Sequence, residues 1–292
     1  MNSSDSIPIW QIDAFADRPF TGNPAAVCLL DNFPSEEWMQ NVAAEMNLAE
    51  TSFVVPTDEA GSFHLRWFTP ATEVDLCGHA TLAAAHTLIE QARVEAGQPI
   101  RFQTRSGELI CTQAGSRITL DFPATPASEE VDPKVAEHVF KALGISEATI
   151  LRSKFDLLVI VEEASIVESL RPNFNALGTI DTRGVMVTAT SHANDVDFVS
   201  RFFAPRYGIN EDPVTGSAHC ALASYWAPQL KKKSFTAHQA SARGGVVEVT
   251  LRDDRALLAG RAVTVLKGEL TALAAPGSAT LCKRWHRVIF ET

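Results

Sequence analysis

The sequence predicts an α/β (α+β) protein of two pseudo-symmetric lobes, each a β-roll or barrel around a central helix. Three observations predict it. First, segments of one half return in the other: Arg66-Trp-Phe-Thr-Pro70 as Arg201-Phe-Phe-Ala-Pro205, Gly78-His-Ala80 as Gly216-Ser-Ala218, and Arg105-Ser-Gly107 as Arg243-Gly-Gly245. The order is kept, and the spacing grows from 135 to 138 residues after the first pair and then holds. Second, each half carries one alanine-rich helix pattern, apolar on nearly every side and therefore buried. Third, short strand patterns crowd around it, without the regular β–α alternation or the G-x-G-x-x-G turn of a dinucleotide-binding sheet. A duplication of this length places a ligand cleft where two such lobes meet.

In order, residues 7–15 are apolar and strand-like, Thr21-Gly-Asn-Pro24 is a turn by its chemistry, and residues 25–30 form a short buried strand. A helix follows over 35–45: Ser35 can cap it, and Trp38, Val42 and Met46 recur at four-residue steps. Asn47-Leu-Ala-Glu50 is a turn, residues 51–55 a strand stopped by Pro56, and residues 64–68 another. Residues 80–92 are the first central helix, and 109–112 with 117–122 a hairpin. Three prolines and two glutamates between Pro123 and Pro133 mark the linker. The second half repeats the grammar, with a helix over 136–143, strands over 157–162 and 185–190, and a central helix over 218–226. A meander then runs over 246–251, 256–259 and 262–266. The expected lobes are 1–125 plus 280–292 and 126–279, with residues 285–290 returning to the first lobe as a strand after the turn at Ala275-Pro-Gly-Ser278.

The chain has 292 residues, 46% hydrophobic and 21% charged, with no apolar run long enough to span a bilayer. A net charge of −10 disfavours nucleic-acid and membrane surfaces as partners. Five scattered cysteines without a C-x-x-C pair argue for a reducing cytoplasm and against a disulfide framework or zinc site. The beginning of the sequence lacks a secretory pattern. No two histidines stand at helical metal-ligand spacing with a carboxylate, so no metal is expected.

Two glycine-led helix starts carry the chemistry. Cys77-Gly-His-Ala-Thr81 and Val214-Thr-Gly-Ser-Ala218 each put small residues at the N-terminus of a buried helix. There, unpaired N–H groups and a positive dipole suit a carboxylate. Gly78 and Gly216 admit a ligand to the backbone, and His79 and Ser217 add donors; the same glycines also permit tight packing. Glu50, among Leu48, Ala49 and Phe53, is the acid/base candidate, because desolvation would raise its pKa towards a working range. Val185, at the 135-residue spacing, gives it no mirror image. Asp212 is the second carboxylate. If the three extra residues of the second half follow it, Asp212 and Cys77 are positional equivalents; if they precede it, the equivalence fails. No G-x-S-x-G elbow or phosphate-binding loop occurs.

At these residues the chain resembles the phenazine-biosynthesis PhzF-like family, with the diaminopimelate-epimerase fold. The matching pieces are Asp13-Ala-Phe15, Phe20-Thr-Gly-Asn-Pro24, Asn47-Leu-Ala-Glu50, Arg66-Trp-Phe-Thr-Pro70, Gly78-His79, Glu211-Asp-Pro-Val-Thr-Gly-Ser217 and Arg243-Gly-Gly245, in family order over nearly the whole chain. The resemblance implies a cofactor-free isomerase, a homodimer, and a small carboxylate-bearing substrate. It assigns the proton-shuttling role to Glu50 and the substrate site to Gly78, His79, Asp212, Gly216 and Ser217. Two departures are Ala49, where relatives often carry serine, and Cys77, which resembles the first cysteine of the true epimerases without a second at Asp212. The leading expectation is a single-base isomerase with Glu50 as general acid/base. The alternatives are a two-base epimerase or racemase using Cys77 as a low-pKa thiolate with Asp212 or Glu50, and a non-catalytic small-molecule-binding protein of the same fold.

Overall fold

Runs of β-branched and aromatic residues bounded by turn residues form strands, and the two alanine-rich stretches form the central helices. The structure, a computed structural model, describes residues 6–95, 97–193 and 195–271. The chain divides into two compact units, residues 6–121 with 260–271 and residues 122–259.

The first unit contains β1 (Ile7–Ala14), β2 (Asn23–Leu29), α1 (Glu36–Met46), β3 (Glu50–Pro56), β4 (Ser62–Phe68), β5 (Glu73–Val74), α2 (Gly78–Glu90), β6 (Ile100–Thr104), β7 (Gly107–Ala114) and β8 (Arg117–Pro123). The second contains β9 (Glu129–Glu130), α3 (Pro133–Leu143), β10 (Thr149–Arg152), β11 (Leu157–Ile160), α4 (Ala164–Ser169), α5 (Phe174–Leu177), β12 (Val185–Thr190), β13 (Phe198–Ala204), β14 (Ile209–Asp212), α6 (Gly216–Leu230), β15 (Ser234–Gln239), β16 (Gly245–Arg252) and β17 (Arg255–Gly260). The last described strand, β18 (Ala262–Leu270), belongs to the first unit.

The pairing is the same in both units. β1 lies antiparallel to β2, β2 parallel to β3, β3 antiparallel to β4, β4 parallel to β6, and β6, β7 and β8 form an antiparallel meander. In the second unit β10, β11, β12, β13, β15, β16 and β17 repeat those pairings in that order. β18 runs antiparallel along β1, as β9 does along β10. The register is also shared: Glu50 stands opposite Ala25, and Val185 opposite Leu157.

Small side chains let each sheet close around its helix. In α2, residues 79–85 and Leu88 are buried, and in α6 Ala218 to Ala223 are buried. A second core lies under α1, where Met39, Val42 and Ala43 pack on Ile9, Phe53, Val55 and Phe68. The matching core in the second unit joins Val139 and Leu143 of α3 to Leu157, Val187 and Phe203. Local signals set the helix ends. Ser35 Oγ accepts from Trp38 N–H at 3.2 Å, and Asp132, with Pro133 behind it, accepts from Lys134 N–H at 2.8 Å. Between β1 and β2 the turn needs Gly22: its φ is +66°, and a Cβ there would run into the Ala14 carbonyl.

Two expectations change. Glu50 does not lie in a turn: Asn47 ends α1 in the left-handed region at φ 49°, and Glu50 opens β3. The strand over 262–270 does not continue the second unit's meander but covers the edge of β1, so the chain re-enters the first unit near residue 260 and not at 280. The physical reason is that β1 carries the buried residues Ile9, Trp10 and Ile12, and its outer edge needs a partner. The return expected of residues 285–290 lies outside the described residues.

Candidate active site

Each unit presents the head of its central helix beside chemically active side chains. In the first unit the N-cap of α2 is Cys77 and in the second the N-cap of α6 is Thr215, and neither caps its helix with a side-chain hydrogen bond. The opening N–H groups are thus left without side-chain acceptors, which suits an anion. Both N-cap carbonyls are taken up one turn on: Thr81 Oγ1 donates to Cys77 O at 2.5 Å, and His219 Nδ1 to Thr215 O at 2.8 Å.

This match fixes where the second half has its extra residues. Arg66 makes a two-pronged pair with Glu73, at 2.7 and 2.6 Å, and Arg201 makes the same pair with Glu211, at 2.7 and 2.9 Å. Spacing is 135 at the arginines and 138 at the glutamates, so the three added residues precede Asp212, around the short 3₁₀ turn Pro205–Tyr207. Cys77 therefore corresponds to Thr215, Gly78 to Gly216 and His79 to Ser217. Asp212 falls opposite Val74, and its equivalence with Cys77 fails.

In the first unit the structure brings Glu50, Cys77, Gly78 and His79 together. Glu50 Oε2 stands 3.1 Å from His79 Nε2, with the side chains 12% and 5% exposed. The contact lacks the alignment of a hydrogen bond, and neither atom has another hydrogen-bond partner among the described residues. The other ring nitrogen, Nδ1, lies 3.1 Å from the Asn23 amide and 3.6 Å from Cys77 Sγ. Burial disfavours a charge on His79, but Cys77 and Glu50 outweigh it and hold its pKa well above the usual 6.5.

Burial, reinforced by the Glu50 charge, pushes Cys77 up to about 11 despite the opposing influence of His79. The two-base alternative asks for a low-pKa thiolate here, which this surrounding disfavours. Glu50, Cys77 and His79 also bring three potential metal-ligand atoms within 4.8 Å of one another. That donor set is of a kind zinc accepts, and it is assembled from residues whose spacing gave no sign of it. Cys77→Ser is expected to keep turnover within about threefold of wild type. A loss of a hundredfold or more in the rate of deuterium exchange from heavy water into a small acid would restore the thiol to the chemistry.

In the second unit Asp212, Gly216 and Ser217 gather at the head of α6. Asp212 is buried, and its Oδ2 accepts from Thr215 Oγ1 at 2.5 Å. Gln239, itself buried, ties this corner together: its Nε2 donates to Asp212 O at 2.7 Å, and its Oε1 accepts from Thr215 N–H at 2.8 Å. Ser217 Oγ accepts from Arg183 Nη2 at 3.1 Å, and Arg183 forms a second forked pair, with Asp156, at 2.8 and 2.5 Å. Sequence reasoning missed Asn23, Arg183 and Gln239. Asn23 could have been found, since it sits in the Gly-Asn-Pro turn that carries the resemblance; the other two have no local signal.

His219, one turn into α6, is fully buried, and burial lowers its pKa to about 4 although the Thr215 carbonyl partly offsets this. The unfolded chain protonates this residue near pH 6.5 and the folded chain only near 4, so the unfolded state holds more protons between those values. Its contribution is full above pH 6.5 and drains as pH falls towards 4, by on the order of 3 kcal/mol. His219→Thr, which copies Thr81 of the first unit, is expected to flatten that loss. Urea unfolding of both proteins at pH 7 and 4.5 reads it, and equal losses would remove His219 as the cause.

The comparisons place the chain among known proteins. Residues 12–268 match the family model PhzC-PhzF, phenazine biosynthesis-like protein. An uncharacterized isomerase of Halalkalibacterium halodurans is 50% identical over 264 residues, covering 90% of this chain and 98% of that one. The human phenazine biosynthesis-like domain-containing protein is 41% identical over 287 residues, covering 91% and 99%. The crystal structure of a PhzF-family protein from Enterococcus faecalis superposes with a TM-score of 0.84 at 40% identity, covering 91% of this chain and 99% of that chain. The fold is thus the diaminopimelate-epimerase-like α/β fold with duplicated sheet-and-helix lobes. The chain belongs to the PhzF/PhzC phenazine-biosynthesis-like family. Among the described residues no helix is long and apolar enough to cross a membrane.

Proposed function

We propose that the protein is a cofactor-independent isomerase that moves a proton on a small carboxylic or amino acid, with Glu50 as the general acid/base. The observation that carries this reading is the Glu50–His79 pair: a carboxylate oxygen and a ring nitrogen, buried and without hydrogen bonds, 3.1 Å apart at an uncapped helix head. Glu50 takes a proton from a C–H next to an electron-withdrawing group; the C–H electron pair shifts into that group. Glu50 then returns the proton to another carbon or heteroatom, so one carboxylate resets within a turnover. His79 orients Glu50. The N–H groups of Gly78 and of Gly216 are carboxylate donors, and Asp212, fixed by Thr215 and Gln239, is a second acid/base group. Relatives described as isomerases support this class. Ala49 leaves out a hydroxyl beside the carboxylate, so the substrate is not borrowed from the phenazine pathway. A homodimer in the cytoplasm, expected from the sequence and the resemblance, is part of the same reading.

The test is deuterium incorporation from heavy water into a panel of small amino, hydroxy and unsaturated acids, followed by NMR. At least one acid is expected to gain a carbon-bound deuterium. Saturable binding across the panel with no exchange into any bound acid would favour a binding protein instead.

A further inference from the structure

We propose that Arg183 is a substrate-binding residue, whose free guanidinium edge, with Ser217, takes a carboxylate of the ligand. This deepens the isomerase reading and rests on it for the word substrate, although the binding itself can be tested apart.

Val185 stands opposite Leu157 as Glu50 stands opposite Ala25, so Asp156 and Arg183 hold in the second unit the places of Pro24 and Leu48 in the first. The duplicated structural arginines, Arg66 and Arg201, were kept in both units; Arg183 exists in one. At the second residue of the central helix, the first unit sets a carboxylate against an imidazole, Glu50 on His79. The second unit sets a guanidinium against a hydroxyl, Arg183 on Ser217. The same station is built once around a carboxylate and once around a guanidinium.

Arg183 is also held for recognition rather than for stability alone. Asp156, 3% exposed, fixes the guanidinium plane through Nε and Nη2. The rings of Phe155 and Phe202 lie 5.1 and 5.8 Å from its central carbon. A Cβ at Gly184 would run into the Phe202 ring, so the next residue in the chain is the one that lets this ring lie there. The side chain is still 36% exposed, and Nη1 has no hydrogen-bond partner among the described residues. Asp156 and Asp212 both act on Arg183, so a free anion is held only where donors are open: at Nη1, beside Ser217 and the head of α6. A planar fork facing a carboxylate is the geometry guanidinium groups are suited to.

The test is isothermal titration of sodium malonate and sodium acetate at constant ionic strength into wild type, Arg183→Gln, Arg183→Lys and Glu50→Gln. Wild type is expected to bind malonate saturably, Arg183→Gln at least tenfold more weakly, and Glu50→Gln as wild type does while its proton exchange is lost. Should Arg183→Gln fail to fold, Arg183→Lys decides, because its charge can satisfy Asp156 but cannot also present a second edge; a severalfold loss is expected. Wild-type affinity in either folded Arg183 variant, or no saturable carboxylate binding to wild type, overturns the proposal. Binding that depends on Arg183 without any proton exchange in wild type would leave it standing and remove the isomerase reading.

Discussion

Glu50→Gln is expected to lower the rate of deuterium incorporation by about a hundred- to ten-thousand-fold, the range for losing a positioned acid/base group. Glutamine keeps the shape of the side chain at the start of β3 and can still face His79, so the unfolding midpoint should move little. The loss would therefore report chemistry and not collapse of the site. The measurement is the initial exchange rate on the best acid of the panel at saturating concentration, with unfolding followed in parallel. An unchanged rate would take Glu50 out of the mechanism and leave Asp212 as the remaining carboxylate.

The second large effect concerns the duplicated ion pairs. Arg201→Ala should cost about 3–5 kcal/mol, as breaking a buried pair does. Arg201 is 8% exposed at its side chain, serves both Glu211 oxygens, and donates to the carbonyls of Val167 and Leu170 at 3.3 and 2.9 Å. Its removal leaves Glu211 without its partner and takes a donor from the Val167 and Leu170 carbonyls, of which Leu170 keeps Arg171 Nη1 at 2.9 Å. Arg66→Ala should cost clearly less. Arg66 is 21% exposed, and Glu73 keeps a second cation in Arg105 at 2.8 Å. Urea unfolding of the two variants reads the difference, and equal costs would show that the carbonyl bonds and the missing second cation do not matter.

The same arginines explain why so much of the fold was legible. A forked pair demands arginine and glutamate at set places on neighbouring strands, so Arg66 and Arg201 survive as visible anchors while the apolar residues between them drift. The helix heads are legible because glycines at 78 and 216 mark where each alanine-rich helix begins. Other features depend on which distant segments meet. Where the three added residues lie could be read only from Glu73 and Glu211 pairing with their arginines. The partner of β18 is β1, at the far end of the chain, and nothing in residues 262–270 names it. Arg183 has no motif around it and becomes visible only when Ser217, a turn of helix remote in sequence, is set beside it. The high pKa of Cys77 was hidden as well, because a helix N-terminus favours a thiolate while burial opposes it, and sequence shows only the first.

The β1–β18 pairing has a consequence for biosynthesis. β1 leaves the ribosome before every other described strand, and the strand that covers its edge follows roughly 250 residues later. At typical translation rates that is an interval on the order of ten to fifty seconds. The second unit, continuous between residues 122 and 259, is complete before the first one is. Synthesis and folding therefore run in opposite orders, and the nascent chain must shelter an open strand edge until its late partner arrives.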